Sequence, residues 1–300
     1  MNIQNIFSEI EKNDPEFLEK VDGRRKAMKD FGRFAGKVTL ASLPFALGSM
    51  FKKAYGTPTG PKDALTDVLQ FALTLEYLEA EFYNTALAAP GLVATLIGPA
   101  RAAITTISTH ENAHVAFLKS TLTSLGTTPI AKPTFDFTAG SYMGGPGTGN
   151  GIFSGANNPF VNYAVFLAMA QTFEDTGVRA YKGQAPTLIP NNTLITAALQ
   201  IHSVEARHAA HLRQMRKANG AAVPAGVNVK PWITLNQSGI DAPFAAAVQP
   251  SYNGEELTTQ AGVNIVNIGG QTISASAASE AFDEPLTTAQ VLTIVDPFIV

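Results

Sequence analysis

Three hundred residues can bury one or two cores, and a composition 45% hydrophobic and 15% charged is that of a folded chain. The formal net charge of −3 gives no attraction for nucleic acid or an anionic membrane, so neither is expected as a partner. With no cysteine, disulfides, thiolate metal sites and cysteine nucleophiles are all excluded.

Residues 1–56 form an N-terminal segment. It is polar as far as Gly23, then carries Arg24-Arg25-Lys26 and a fourteen-residue apolar run from Val38 to Phe51. That run contains Pro44 and is too short to span a bilayer as a helix, so no stable membrane insertion is expected. The arrangement resembles a twin-arginine export signal, which implies a periplasmic protein. Read instead as an ordinary basic amphipathic helix, it leaves the chain in the cytoplasm.

Residues 57–220 read as four helices. The first begins near Lys62, with Leu65, Leu69, Leu73, Glu76, Ala80 and Tyr83 spaced by three and four, and Pro90-Gly91 breaks it. The second is predicted from Pro99 to Leu125, where Gly126 and Pro129 stop it. A Gly- and Pro-rich connection follows to residue 159. The third helix starts near Pro159, continues past Tyr181 and is predicted to end at Gly183 and Pro186. The fourth runs from Asn192 to Ala218, before Asn219-Gly220. Two short links and one long crossover between helices 2 and 3 give an all-α four-helix bundle. Residues 221–300 form a C-terminal extension. The alternation in 263–270 predicts short strands or extended segments, and a last helix is expected over Leu286–Val295, so the tail is extended or strand-like and ends in a short helix. The extension is expected to pack on the bundle or on a neighbouring subunit, the latter making a homo-oligomer.

Glutamate is sparse in the middle of the chain. Between Phe82 and Gly254 there are only Glu111, Glu174 and Glu205, and two of these open Glu-x-x-His motifs with His114 and His208. With 14 Glu and 5 His in the chain, chance supplies roughly 0.2 such motifs. Residues i and i+3 share a helix face, so each pair aims a carboxylate and an imidazole at one place, a donor set for Fe, Mn or Zn. Glu76 and Glu174 each precede a tyrosine by seven residues, Tyr83 and Tyr181. The chain therefore carries one unit twice: Glu-x6-Tyr on a helix, then Glu-x-x-His on the next. Four inward carboxylates repel one another or protonate, whereas two divalent cations balance their four charges. The competing reading is a set of buried ion pairs with Arg179 and Arg207 as partners. Glu79, one turn beyond Glu76, could be a fifth or an alternative ligand; because the six-residue set is already complete, it is read as a partly exposed ion-pair partner. His110, His202 and His211 are read as surface or hydrogen-bonded histidines; His202 and His211 could instead line a metal entry path.

This pattern resembles the ferritin-like di-iron and di-manganese carboxylate proteins. The stretches 75–83 and 173–181, with the tail Phe282-Asp283-Glu284-Pro285-Leu286…Asp296-Pro297-Phe298, are similar to the branch that includes desiccation-related ferritin-like proteins. The resemblance implies two Fe or two Mn ions held by Glu76, Glu111, His114, Glu174, Glu205 and His208. Glu111 and Glu205 would be shared by both ions, and Tyr83 and Tyr181 would orient carboxylates. It further implies small-molecule partners (O₂, peroxide or ferrous iron) and a ferroxidase-like or manganese-catalase-like oxidoreductase, with a non-catalytic metal-binding or structural stress protein as the alternative. Lacking cysteine, the chain has no rubredoxin-like iron site, and its long crossover and tail are unlike those of compact cage-forming ferritins.

Overall fold

Two apolar layers, separated by a belt of acidic and histidine side chains, organise the four long helices. A computed structural model describes residues 64–140, 149–260 and 262–300; the twin-arginine-like segment at residues 1–56 lies outside these. The helices are α1 (Ala64–Ala88), α2 (Gly98–Ser124), α3 (Tyr163–Leu188) and α4 (Asn192–Ala218). In one layer Leu69 and Leu73 of α1 meet Leu118 and Leu122 of α2, Leu188 of α3 and Ile201 of α4. In the other, Phe82 of α1 meets Ile104 and Ile107 of α2, Phe166 and Phe173 of α3 and Leu212 of α4. The order of these residues along each helix fixes direction: α1 and α4 run one way, α2 and α3 the other. Residues 125–162 therefore carry the chain back along the length of the bundle. Among the described residues no helix is long and apolar enough to cross a membrane.

Local chemistry sets the helix ends. Asn162 and Asn191 cap α3 and α4, each side-chain oxygen accepting from two backbone N–H groups of the first turn at 3.1–3.3 Å. The α3 cap is Asn162, three residues after the predicted start. The helix also runs through Gly183 and Pro186 to Leu188 rather than stopping at them. Pro186 lies in the last turn, so the hydrogen bond it forfeits, to the Lys182 carbonyl, is one near the end of the helix. Gly183 is a contact point instead of a stop, because a Cβ there would stand 2.0 Å from the Leu286 carbonyl oxygen.

Helices α1 and α3 are buried on all faces through their middle turns, whereas α2 and α4 keep exposed sides. The crossover covers α1: Gln70 donates to Thr128 O at 2.8 Å and accepts from Ile130 N at 2.9 Å, and Phe137 and Phe160 pack on Phe82. The tail covers α3. Its helices are α5 (Ala245–Val248), α6 (Ala275–Ser279) and α7 (Thr288–Val295), and Leu286, Val291, Leu292, Val295 and Phe298 join the core. Buried Arg179 of α3 donates to Ser251 O, Asn253 O and Glu284 O and pairs with Glu255 at 2.6 Å. Asp175 pairs with Arg213 at 2.5 Å and accepts from Tyr252 at 2.7 Å. These satisfied polar groups offset the desolvation of three charged helix residues.

In the tail, strand geometry is confined to Thr259–Gln260 and Val263–Asn264 among the described residues. Ile265–Gly270, predicted as strand, is a 3₁₀ helix capped by the Asn264 side chain. The last helix begins two residues later than predicted, because Thr287 and Gln290 form a reciprocal capping box.

Candidate metal centre

The belt between the apolar layers brings together all six residues singled out by their spacing. Glu76 projects from α1, Glu111 and His114 from α2, Glu174 from α3, and Glu205 and His208 from α4. The four carboxylates are completely buried, and the two histidines are 9% and 5% exposed. Each Glu-x-x-His pair meets because i and i+3 share a face. Four helices contribute because each presents the belt position at the same height.

Two overlapping groups result. Glu76, Glu111, His114 and Glu205 offer donor atoms within 4.8 Å of one another, as do Glu111, Glu174, Glu205 and His208. Glu111 and Glu205 belong to both. His114 Nδ1 is 3.0 Å from Glu76 Oε2, 3.0 Å from Glu111 Oε2 and 3.3 Å from Glu205 Oε1. His208 Nδ1 is 2.9 Å from Glu111 Oε1 and 3.1 Å from Glu174 Oε2. One N–H cannot serve three oxygens. Glu111 Oε1 and both oxygens of Glu205 have no aligned hydrogen-bond donor despite these short approaches. Buried carboxylate oxygens without donors are costly, and a cation among them would satisfy several at once. The donor set of carboxylate oxygens and imidazole nitrogens suits Fe or Mn, so the two groups could hold metal ions.

Hydrogen bonds around the belt orient it. The tyrosines act crosswise between the halves of the repeat. Tyr83 of α1 donates to Glu174 Oε1 of α3 at 2.5 Å, and Tyr181 of α3 donates to Glu76 Oε1 of α1. Each leaves the other oxygen of its carboxylate turned to a histidine. His110 Nδ1 lies 2.9 Å from His208 Nε2, with the rings stacked. When His208 donates through Nε2, its Nδ1 lone pair faces the carboxylates, the orientation a metal needs. Tyr83→Phe is expected to lower Mn²⁺ affinity about tenfold, the lower end of the range for groups that orient ligands. Competition with a chromogenic chelator measures this directly.

Without a cation the belt is held together by protons. Burial raises Glu76 to about 8 and also raises Glu174 and Glu205. Burial opposes ionisation of Glu111 too, yet His114 and His208 outweigh it and bring this carboxyl down to about 2. Against their own desolvation, both histidines are pushed up by the carboxylates around them, His208 to about 11. Several of these protons compete with a metal for the same donor atoms, so binding would release them.

A family model described as "Ferritin-like domain" matches residues 64–218, just over half of the chain and the whole of α1 to α4. The chain belongs to the ferritin-like domain family. No curated protein compared with it matches. In this ferritin-like domain the long connection between α2 and α3 and the repeated acidic belt agree with the sequence-based fold class.

The neighbours of the belt differ in part from expectation. Glu79 is 3% exposed and makes no ion pair with a described residue, which overturns its reading as a partly exposed ion-pair partner. Its carboxyl is turned toward Gly177 of α3 and the belt rather than to solvent. The alternative of buried ion pairs loses its partners: Arg179 is turned to Glu255 and the tail, and Arg207 is exposed. His211 is exposed, and half-buried His202 lies near Lys182 of α3 and Asp283 of the tail. His110 is half-buried and hydrogen-bonded, as read. Its pairing with His208 across two helices has no signature in either helix alone. Gly177, whose missing side chain leaves room beside Glu79 and Glu205, was not singled out by spacing at all. The signal existed in the repeat, where Glu174-x-x-Gly177 stands against Glu76-x-x-Glu79.

Proposed function

We propose that this ferritin-like domain holds two Fe or two Mn ions and is an oxidoreductase acting on dioxygen or peroxide. The observation that carries the reading is the sharing of Glu111 and Glu205 between two buried four-residue groups. When bound, such a metal pair supplies two-electron chemistry with O₂ or peroxide. Glu111 and Glu205, common to both groups, would serve both ions, with Glu76 and His114 completing one group and Glu174 and His208 the other. Tyr83 and Tyr181 hold the outer carboxylates and can lend a proton at Oη. The apolar layers above and below exclude bulk water, which strengthens every electrostatic interaction inside.

A small apolar cavity of about 20 Å³ reaches Tyr181, among Leu69, Leu118, Leu188 and Ile201. It is the size of a water-sized neutral molecule. Its lining suits O₂, an apolar molecule, better than a dication, which gains nothing from apolar surroundings. Small molecules, not nucleic acid, are the partners this reading assigns. Export by a twin-arginine route and assembly with further copies of the chain are part of the same proposal.

The test is turnover by the metal-loaded protein. Protein reconstituted with Mn²⁺ or Fe²⁺ is expected to consume peroxide or O₂, and Glu111→Ala/Glu205→Ala is expected to be inert. Retention of metal without consumption of either would overturn the oxidoreductase reading. The non-catalytic metal-binding protein, as in the desiccation-related branch, would then stand.

A further inference from the structure

Glu79 is a buried acid that the six-residue set does not use. It sits one turn after Glu76 on α1, is 3% exposed, and has no hydrogen bond or ion pair with any described residue. Its charged neighbours are Glu205, Glu174, Glu111 and Glu76. The nearby buried arginines are occupied elsewhere, Arg179 by Glu255 and Arg213 by Asp175. In its ionised form a carboxylate so enclosed, with other acids around it and no cation paired to it among the described residues, is unfavourable unless a cation is supplied.

Position 177 explains how the acid is accommodated. By the internal repeat, Glu79 corresponds to Gly177, since each follows the first glutamate of its unit by three residues. A Cβ at Gly177 would stand 3.0 Å from Glu205 Oε2 and 3.2 Å from Glu79 Oε1. The two carboxylates thus approach one another across the bare backbone of α3. Glycine is disfavoured in a helix interior, and here the absence of a side chain leaves the space that Glu79 and Glu205 fill. The otherwise matched halves of the centre are unequal at this one place. Glu205 Oε2 is also one of the oxygens without a donor, so a cation there would answer both groups.

We propose that Glu79 is a seventh side chain of the centre, a carboxylate that joins Glu205 on one side of the metal pair through the space left by Gly177. This rests on the dinuclear reading above. With Glu79 the belt holds five carboxylates against the four charges of two divalent ions. The complete centre is then more strongly cation-attracting than the six-residue set and differs between its two halves.

The experiment is a chelator-competition titration of the full chain with Mn²⁺, comparing the wild type with Glu79→Gln, Glu79→Ala and Glu81→Gln. Glu81 is on the same helix and carries the same charge, but pairs with Lys132 at the surface. Both Glu79 variants are expected to lose about 10–100-fold in Mn²⁺ affinity, and Glu81→Gln less than about twofold. Metal-free Glu79→Gln should melt no lower than the wild type, which separates loss of a ligand from loss of fold. Equal Mn²⁺ affinity in wild type and both Glu79 variants would overturn the proposal while leaving the six-residue centre intact. A wild type that binds no Mn²⁺ or Fe²⁺ would instead overturn the dinuclear reading itself.

Discussion

Glu111→Gln combined with Glu205→Gln yields a folded chain that retains neither metal ion. These two carboxylates belong to both four-residue groups, so their loss takes two of the four donor residues from each group. An outer variant such as Glu76→Gln touches one group only and should leave the other able to hold a single ion. The double variant is expected to lose more than about 100-fold in affinity, beyond the range for residues that merely orient ligands. Its metal-free form should still fold: Glu205→Gln replaces a buried acid whose oxygens lack donors, while Glu111→Gln costs the metal-free belt the partner of His114 and His208. Added Mn²⁺ should then raise the melting temperature of the wild type and leave that of the variant unchanged. Metal analysis by mass spectrometry and a thermal melt on the same samples read both results.

Metal removal should also make stability fall with rising pH. Glu76 is raised from 4.5 to about 8 by burial. A raised carboxyl stabilises the fold fully below its unfolded value, and that contribution is lost as pH climbs through 8. His208 is raised from 6.5 to about 11, so its contribution is present below 6.5 and is lost as pH rises toward 11. Glu255 beside Arg179, raised to about 8 by burial, acts in the same direction. Glu111 is depressed, and its contribution is lost only as pH falls from 4.5 toward 2, outside this window. Metal-free protein is therefore expected to melt on the order of 10 °C lower at pH 9 than at pH 6. Bound metal requires the deprotonated donors, so the loaded protein should hold or gain stability over the same range. Melts in chelator and in Mn²⁺ at the two pH values check the sign; a metal-free protein that gained stability at pH 9 would contradict the account.

The belt was legible in the sequence because its chemistry is confined to single helices. Glu111 with His114, and Glu205 with His208, need only the i, i+3 relation, and the rarity of glutamate between Phe82 and Gly254 isolates them. The tyrosines were legible as a repeated spacing, but not their crosswise bonds, since Tyr83 reaches Glu174 over 91 residues. Glu79 was misread for a related reason. Its burial depends on the bare backbone of Gly177 on α3, which makes room for the acid beside Glu205, and α1 read alone shows nothing of that. The tail was hardest to read. Arg179 and Asp175 sit in a helix that looks charged, yet their partners are Glu255 and Tyr252 in the tail and Arg213 on α4. The alternation at 263–270 predicted short strands or extended segments, and Val263–Asn264 is one, but Asn264 then caps a 3₁₀ turn over Ile265–Gly270. Short segments of that kind are decided by what they pack against rather than by their own pattern.

Metal analysis of the purified full chain after reconstitution with Fe²⁺ or Mn²⁺ tests the central claim most directly. A dinuclear carboxylate centre requires about two ions per chain, absent from the Glu111/Glu205 double variant. A chain that takes up neither metal, at a pH where its carboxylates are free to ionise, would contradict it and leave the ferritin-like bundle with a buried acidic belt held by protons alone.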